Sequence, residues 1–142
     1  MTQPQPHSLP LGQWLWEADG ICLEEVNAER ALGLPPIADP TTATDAEMPA
    51  AAQYGRGLIP ALQTKLERLE ALGLPDDPIM SIVAQVTMEH YRQNVAAFAQ
   101  AQEAALRGDS KGFRQSWMTG RAHDYIADSL FERLGCDLCA ND

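Results

Sequence analysis

The stretch from Pro78 to Gly108 constrains this chain more than any other. Asp76 and Asp77 precede Pro78 as cap and first-turn residues, and Arg107-Gly108 supplies the stop, so the pattern predicts one uninterrupted helix of about 30 residues and roughly 45 Å. A helix of that length dictates the architecture around it. Its apolar face holds Ile79, Met80, Val83, Phe98 and Ala101, while Gln85, Glu89 and Glu103 lie opposite. Three polar residues, Thr87, His90 and Asn94, fall in the middle of the apolar face.

The remaining punctuation predicts three more helices. The first runs from about Leu11 or Gln13 to Leu32, with Leu11, Trp14, Leu15, Ala18, Ile21, Cys22, Val26 and Leu32 on one side. Gly33 and Pro35-Pro36 end it. A Pro/Thr-rich connection (LPPIADPTTAT, 34–44) follows, and Thr44-Asp45-Ala46-Glu47 has the form of a capping box. The second helix should kink or break between Gly55 and Pro60, then continue strongly from Leu58 to Leu72 with Leu58, Leu62, Leu66, Leu69 and Leu72 inward. Asp109 or Ser110 caps the fourth, which reaches Leu134 and turns Phe113, Ile126, Ala127, Leu130, Phe131 and Leu134 to the core. No strand-like alternation interrupts this pattern. The expectation is all-α: an up-and-down bundle of about four helices in a single domain over 11–135, with 1–10 disordered or extended and 136–142 a C-terminal tail. The small-residue run Ala96–Ala101 on a helix this long suggests close approach to a second copy, and therefore a homodimer.

Charge narrows the function classes. The net formal charge is −10, and residues 1–50 carry eight acids against Arg30 alone. Such a balance opposes groove-tracking nucleic-acid binding, which needs a basic face. The basic cluster Arg107, Lys111, Arg114 and Arg121 reads as a solvated helix start. No apolar run approaches the ~20 residues of a membrane span, and no secretory leader is evident, so cytoplasm is the expected location. Cys136 and Cys139 form one C-x-x-C, without the second pair of a structural zinc site and after a helix end rather than at a helix start. Together with Cys22 they read as reduced thiols, the last two in a loose tail. The alternatives are a tail that folds back to share a metal, or one that senses redox state.

Candidate site residues are the polar groups on apolar faces. A hairpin about Gly108-Asp109 sets His123 level with Asn94 and places His90 about 6 Å along the axis. Thr87, His90, Asn94 and His123 are thus candidate ligand-binding residues. Glu25 and Glu29 lie on the Trp14 side of the first helix. With His90 and His123 they would form a mononuclear 2-His-carboxylate metal set, although the Glu-x-x-His spacing of di-iron bundles is absent. A structural layer, with His123 hydrogen-bonded to Asn94, is the simpler account. Phosphate-binding glycine loops and nucleophile elbows are missing. The leading expectation is therefore an acidic accessory, adaptor or inhibitor protein that binds a partner with a basic surface and has no catalysis of its own. Trp16, Glu17, Asp19 and Glu24 would form that interface, with Trp117 as a second anchor. The alternative is a metal- or small-ligand-binding bundle, conceivably an enzyme; a single metal ion is then the cofactor, and none is otherwise required.

Overall fold

The structure, a computed structural model, describes residues 8–140 and is an all-α bundle. Helices α1 (Leu11–Ala31), α2 (Met48–Leu72), α3 (Pro78–Leu106) and α4 (Ser110–Leu134) are followed by a four-residue α5 (Asp137–Ala140). Two short 3-10 turns, Pro40–Thr42 and Asp45–Glu47, shape the connection into α2. Most of the expected N-terminal arm (1–7) lies outside the described residues. Its end is tied down: Leu9 makes an isolated bridge to Pro75, and the Asp76 N–H donates to the Leu9 carbonyl at 2.7 Å.

Local chemistry explains the boundaries. The Asp77 carboxylate accepts from the N–H groups of Ile79 and Met80, which opens α3 where Pro78 needs no donor. Glu47 accepts from the Thr44 N–H, one half of the capping box, and also from the Thr44 hydroxyl. Asp109 takes the Gly112 N–H at the start of α4. At the far end Gly135 adopts φ +88°, a left-handed conformation a side chain would resist. The carbonyls of Phe131 and Glu132 are thereby satisfied by the N–H groups of Cys136 and Gly135. α2 bends in the Gly55–Pro60 region but stays one helix, with Pro60 inside it.

Each helix packs on the next, and α3 against α4 is the most extensive contact. At its centre Gly120 admits the Phe98 ring; a Cβ there would lie 2.6 Å from the ring edge. The larger core joins Trp14, Ile21, Leu58, Leu62, Leu69, Met88, Tyr91, Phe98, Phe131 and Leu134. Trp14 is fully buried, with its indole N–H on the Gly73 carbonyl at 2.8 Å. Side chains of this size each contribute about 1.5–3 kcal/mol on burial.

A second cluster covers the C-terminal end of α3. Ala101, Ala104 and Ala105 are buried against Ile37, Ala43, Met48, Ala51, Ala52 and Phe113 of the same chain. The Pro/Thr connection and the start of α2 thus cover Ala101, the last residue of the small-residue run, while Ala96 at its start is exposed. Ile79 and Ile126, expected inside, are exposed because they sit on the outer flank of the α3–α4 pair.

The C-terminal segment also departs from expectation. It folds as α5 against both α4 and α1, Cys22 and Cys139 form a disulfide, and Cys136 is buried beside them. A loose tail of reduced thiols is therefore replaced by a packed turn that joins the last helix to the first.

Candidate functional site

The interior polar groups divide into two places. On the α3–α4 seam, His90 and His123 meet through their Nδ1 atoms at 3.0 Å, with ring centroids 5.2 Å apart. In that contact one ring donates its Nδ1–H and the other accepts at Nδ1. Asn94 does not pair with His123; its amide donates to the Gly120 carbonyl at 2.8 Å. The α3–α4 register is shifted by about a turn from the one assumed, so His123 reaches His90 instead. Thr87 is buried and donates its hydroxyl to the Val83 carbonyl at 2.7 Å.

Glu25 and Glu29 face elsewhere, toward a residue sequence reasoning missed. Lys65 of α2 is buried with its Nζ 4.0 Å from Glu25 Oε2, and both side chains are 2% exposed. The ammonium also lies 4.8 Å from the centre of the Tyr91 ring, whose hydroxyl donates to the Leu62 carbonyl. Apart from the Glu29 carboxyl, neither Glu25 oxygen has a hydrogen-bond partner, an uncommon state for a buried carboxylate. The signal for Lys65 was present in the sequence: it occupies the inward ladder Leu58, Leu62, Lys65, Leu69 at helical spacing.

These groups line a cavity of about 230 Å³ together with Glu29, Tyr54, Asn94, Trp117, Arg121 and Asp124. Burial, a shared hydrogen bond with Glu25 and the charge of Glu25 push the Glu29 carboxyl up to about 8. Asp128, also near Lys65, is pushed up to about 6 by burial and by Asp124. Burial holds the Lys65 ammonium below its ordinary value, against the pull of Glu25 and Glu29. Arg121 pairs with Asp124. The site is thus a carboxyl pair able to hold a proton, beside one buried cation.

An apolar cavity of about 200 Å³ adjoins it, roofed by Pro35, Pro36, Ile37 and Pro40 of the connection. The two share Pro35, Tyr54, Leu58, Phe98 and Trp117 as walls. Trp117 accordingly is no surface anchor. It packs on Phe98 and Phe113, with ring centroids 4.6 and 5.7 Å away.

Of the other interface candidates, Trp16 is 81% exposed and Glu17 is exposed beside it. Glu24 is ion-paired with Arg68 of α2. Asp19 instead turns toward the C-terminal segment, accepting from the Cys136 thiol at 3.2 Å and the Leu138 N–H at 3.3 Å. The metal set His90, His123, Glu25 and Glu29 does not converge. Among the described residues, the group of three or more metal-capable side chains whose donor atoms do converge is Asp19, Cys136 and Cys139.

The proton-holding carboxyls give stability a definite pH slope. Glu29 and Asp128 take up protons on folding, so the stability they confer is whole below their unfolded values near 4 and lost as pH rises through about 6 and 8. Lys65 acts in the opposite sense toward alkaline pH and is common to any Glu29 variant. Urea unfolding from pH 5 to 9 should therefore find Glu29→Gln gaining on the wild type as pH rises. Parallel curves would mean Glu29 holds no extra proton in the folded state.

Comparison with protein-family models, curated proteins and solved structures finds no match to this chain.

Proposed function

We propose that the protein binds a small amphipathic cation, an amine with an aromatic or aliphatic body, between α1, α2 and α4 beneath the Pro/Thr connection. The carrying observation is the adjoining of two cavities of unlike chemistry, one apolar and one bearing Glu25, whose oxygens meet no donor beyond the Glu29 carboxyl. An amine N–H would donate to Glu25 in place of the proton it shares with Glu29. Its charge would favour the ionised form of Glu29, so binding near neutral pH releases a proton. A phenyl-sized body would bury about 150–250 Å², worth roughly 5 kcal/mol before association entropy is subtracted, which fits affinities in the millimolar-to-micromolar range.

Titration calorimetry with phenethylamine, in two buffers of different ionisation enthalpy, tests this reading. The expected result is one site per chain, proton release at pH 7, and loss of that release in Glu29→Gln with affinity at least about tenfold weaker. No saturable binding by about 10 mM would retire the proposal.

One observation favours a second reading, an adaptor that docks a partner with a basic surface. Trp16 stands 81% exposed on an acidic helix, the kind of side chain that anchors interfaces. That mode should respond to Trp16→Ala and to salt, and not to Glu29→Gln. A cytoplasmic setting fits either reading only if the Cys22–Cys139 bond forms and breaks with redox state, since lasting disulfides belong to oxidising compartments.

A further inference from the structure

We infer that Cys22, Cys136, Cys139 and Asp19 form a redox-gated zinc site: the reduced protein binds one Zn²⁺ through three thiolates and a carboxylate, and the disulfide abolishes it. The inference stands on four donors brought together from α1 and the C-terminal segment. Cys136 Sγ is 2.9 Å from Cys139 Sγ and 3.2 Å from Asp19 Oδ1, and donor atoms of these three residues lie within 4.8 Å of one another. Cys22 joins them through its bond to Cys139, with the two Cα atoms 5.1 Å apart. All three cysteines are fully buried.

Three sulfurs in one cluster cannot all pair. One disulfide leaves the third thiol pressed against it, closer than the roughly 3.8 Å between sulfur ligands of a tetrahedral zinc with bonds of about 2.3 Å. A cation among the four donors needs the Cys136 and Cys139 sulfurs to part by about 1 Å, and the two sulfurs of the cleaved disulfide by nearly 2 Å. The donor set selects the metal. Thiolate-rich, closed, four-coordinate sites favour zinc over harder cations, and with the sulfurs shielded from water no position is left for a substrate. The metal would therefore be structural, clamping α5 to α1 when the disulfide is absent. Asp19, read from sequence as an interface residue, becomes a ligand.

The gating step balances as follows. A dithiol reductant donates two electrons and two protons; the Cys22–Cys139 S–S bond breaks, two thiols form, and the dithiol closes to its own disulfide. Zn²⁺ then displaces three thiol protons on binding.

The test uses the full chain, reduced with a phosphine under anaerobic, chelator-free conditions, with Co²⁺ as the optical probe and Zn²⁺ as competitor. Expected are one equivalent of Co²⁺, intense thiolate-to-cobalt absorption, visible bands of a tetrahedral ion, and displacement by Zn²⁺. The oxidised chain should show none of these, and Asp19→Asn should weaken binding more than about 100-fold, beyond what removing an outer-sphere partner does. Because Cys136→Ser could fail to fold, alkylation of the reduced wild type supplies a second measure. Three thiols should react in chelator and none, or only slowly, with Zn²⁺. Reduced protein with three reactive thiols and no Co²⁺ or Zn²⁺ uptake overturns the site. Equal uptake by the oxidised chain overturns the gate.

Discussion

Replacing Lys65 with alanine should lower the unfolding free energy by about 3–5 kcal/mol, because Glu25 is left buried without its counter-charge. Beyond the Glu29 carboxyl the Glu25 oxygens lack hydrogen-bond donors, so the ammonium at 4.0 Å supplies the counter-charge that makes the carboxylate tolerable inside the bundle. Lys65→Met, which keeps most of the stem, separates lost charge from lost packing and should recover little. The double variant Glu25→Gln, Lys65→Met removes both charges and should be far closer to wild type than either Lys65 variant. Urea midpoints at constant m-value would measure this. Equal losses in the single and double variants would place the effect in packing and remove the ion pair from the account.

Cleaving the Cys22–Cys139 disulfide, with chelator present so that no metal substitutes for it, should lower stability by about 2–5 kcal/mol. The link closes a sequence separation of 117 residues, and chain-entropy estimates for loops near that size approach about 5 kcal/mol. For a domain of this size the melting temperature should fall by roughly 10 °C. Cys22→Ser should reproduce the drop, whereas Cys136→Ser leaves the link and should change it far less. A melting temperature indifferent to reduction would show that the bond does not form in the folded protein, or that α5 adheres without it.

Periodicity and caps made the four helices legible because those signals are local. Asp77, Thr44 and Asp109 each act within a few residues of themselves, and each acts where the pattern put it. The inward placement of Glu25 was equally visible from its spacing to Trp14, Ala18 and Cys22. What the sequence hid depends on distance in the chain. His90 meets His123 rather than the hairpin pairing Asn94 with it, because a one-turn slip between helices leaves no local trace. Lys65 stood in its own helix's apolar ladder and was overlooked because a charged residue is ordinarily assigned to solvent. Cysteine partnership was unreadable for the same reason as the register: nothing near Cys22 announces residue 139.

The sulfur bridge also decides how the molecule transmits a pull. Tension applied between residues 8 and 140 of the oxidised chain runs along α1 to Cys22, crosses to Cys139 and leaves one residue later. α2, α3 and α4, with both cavities between them, hang on a closed covalent ring that bears none of the load. Such a molecule is taut at a span of about 55 Å, the reach of some sixteen extended residues. Force can peel the first turns of α1 from the bundle, yet it has no path by which to open the pocket.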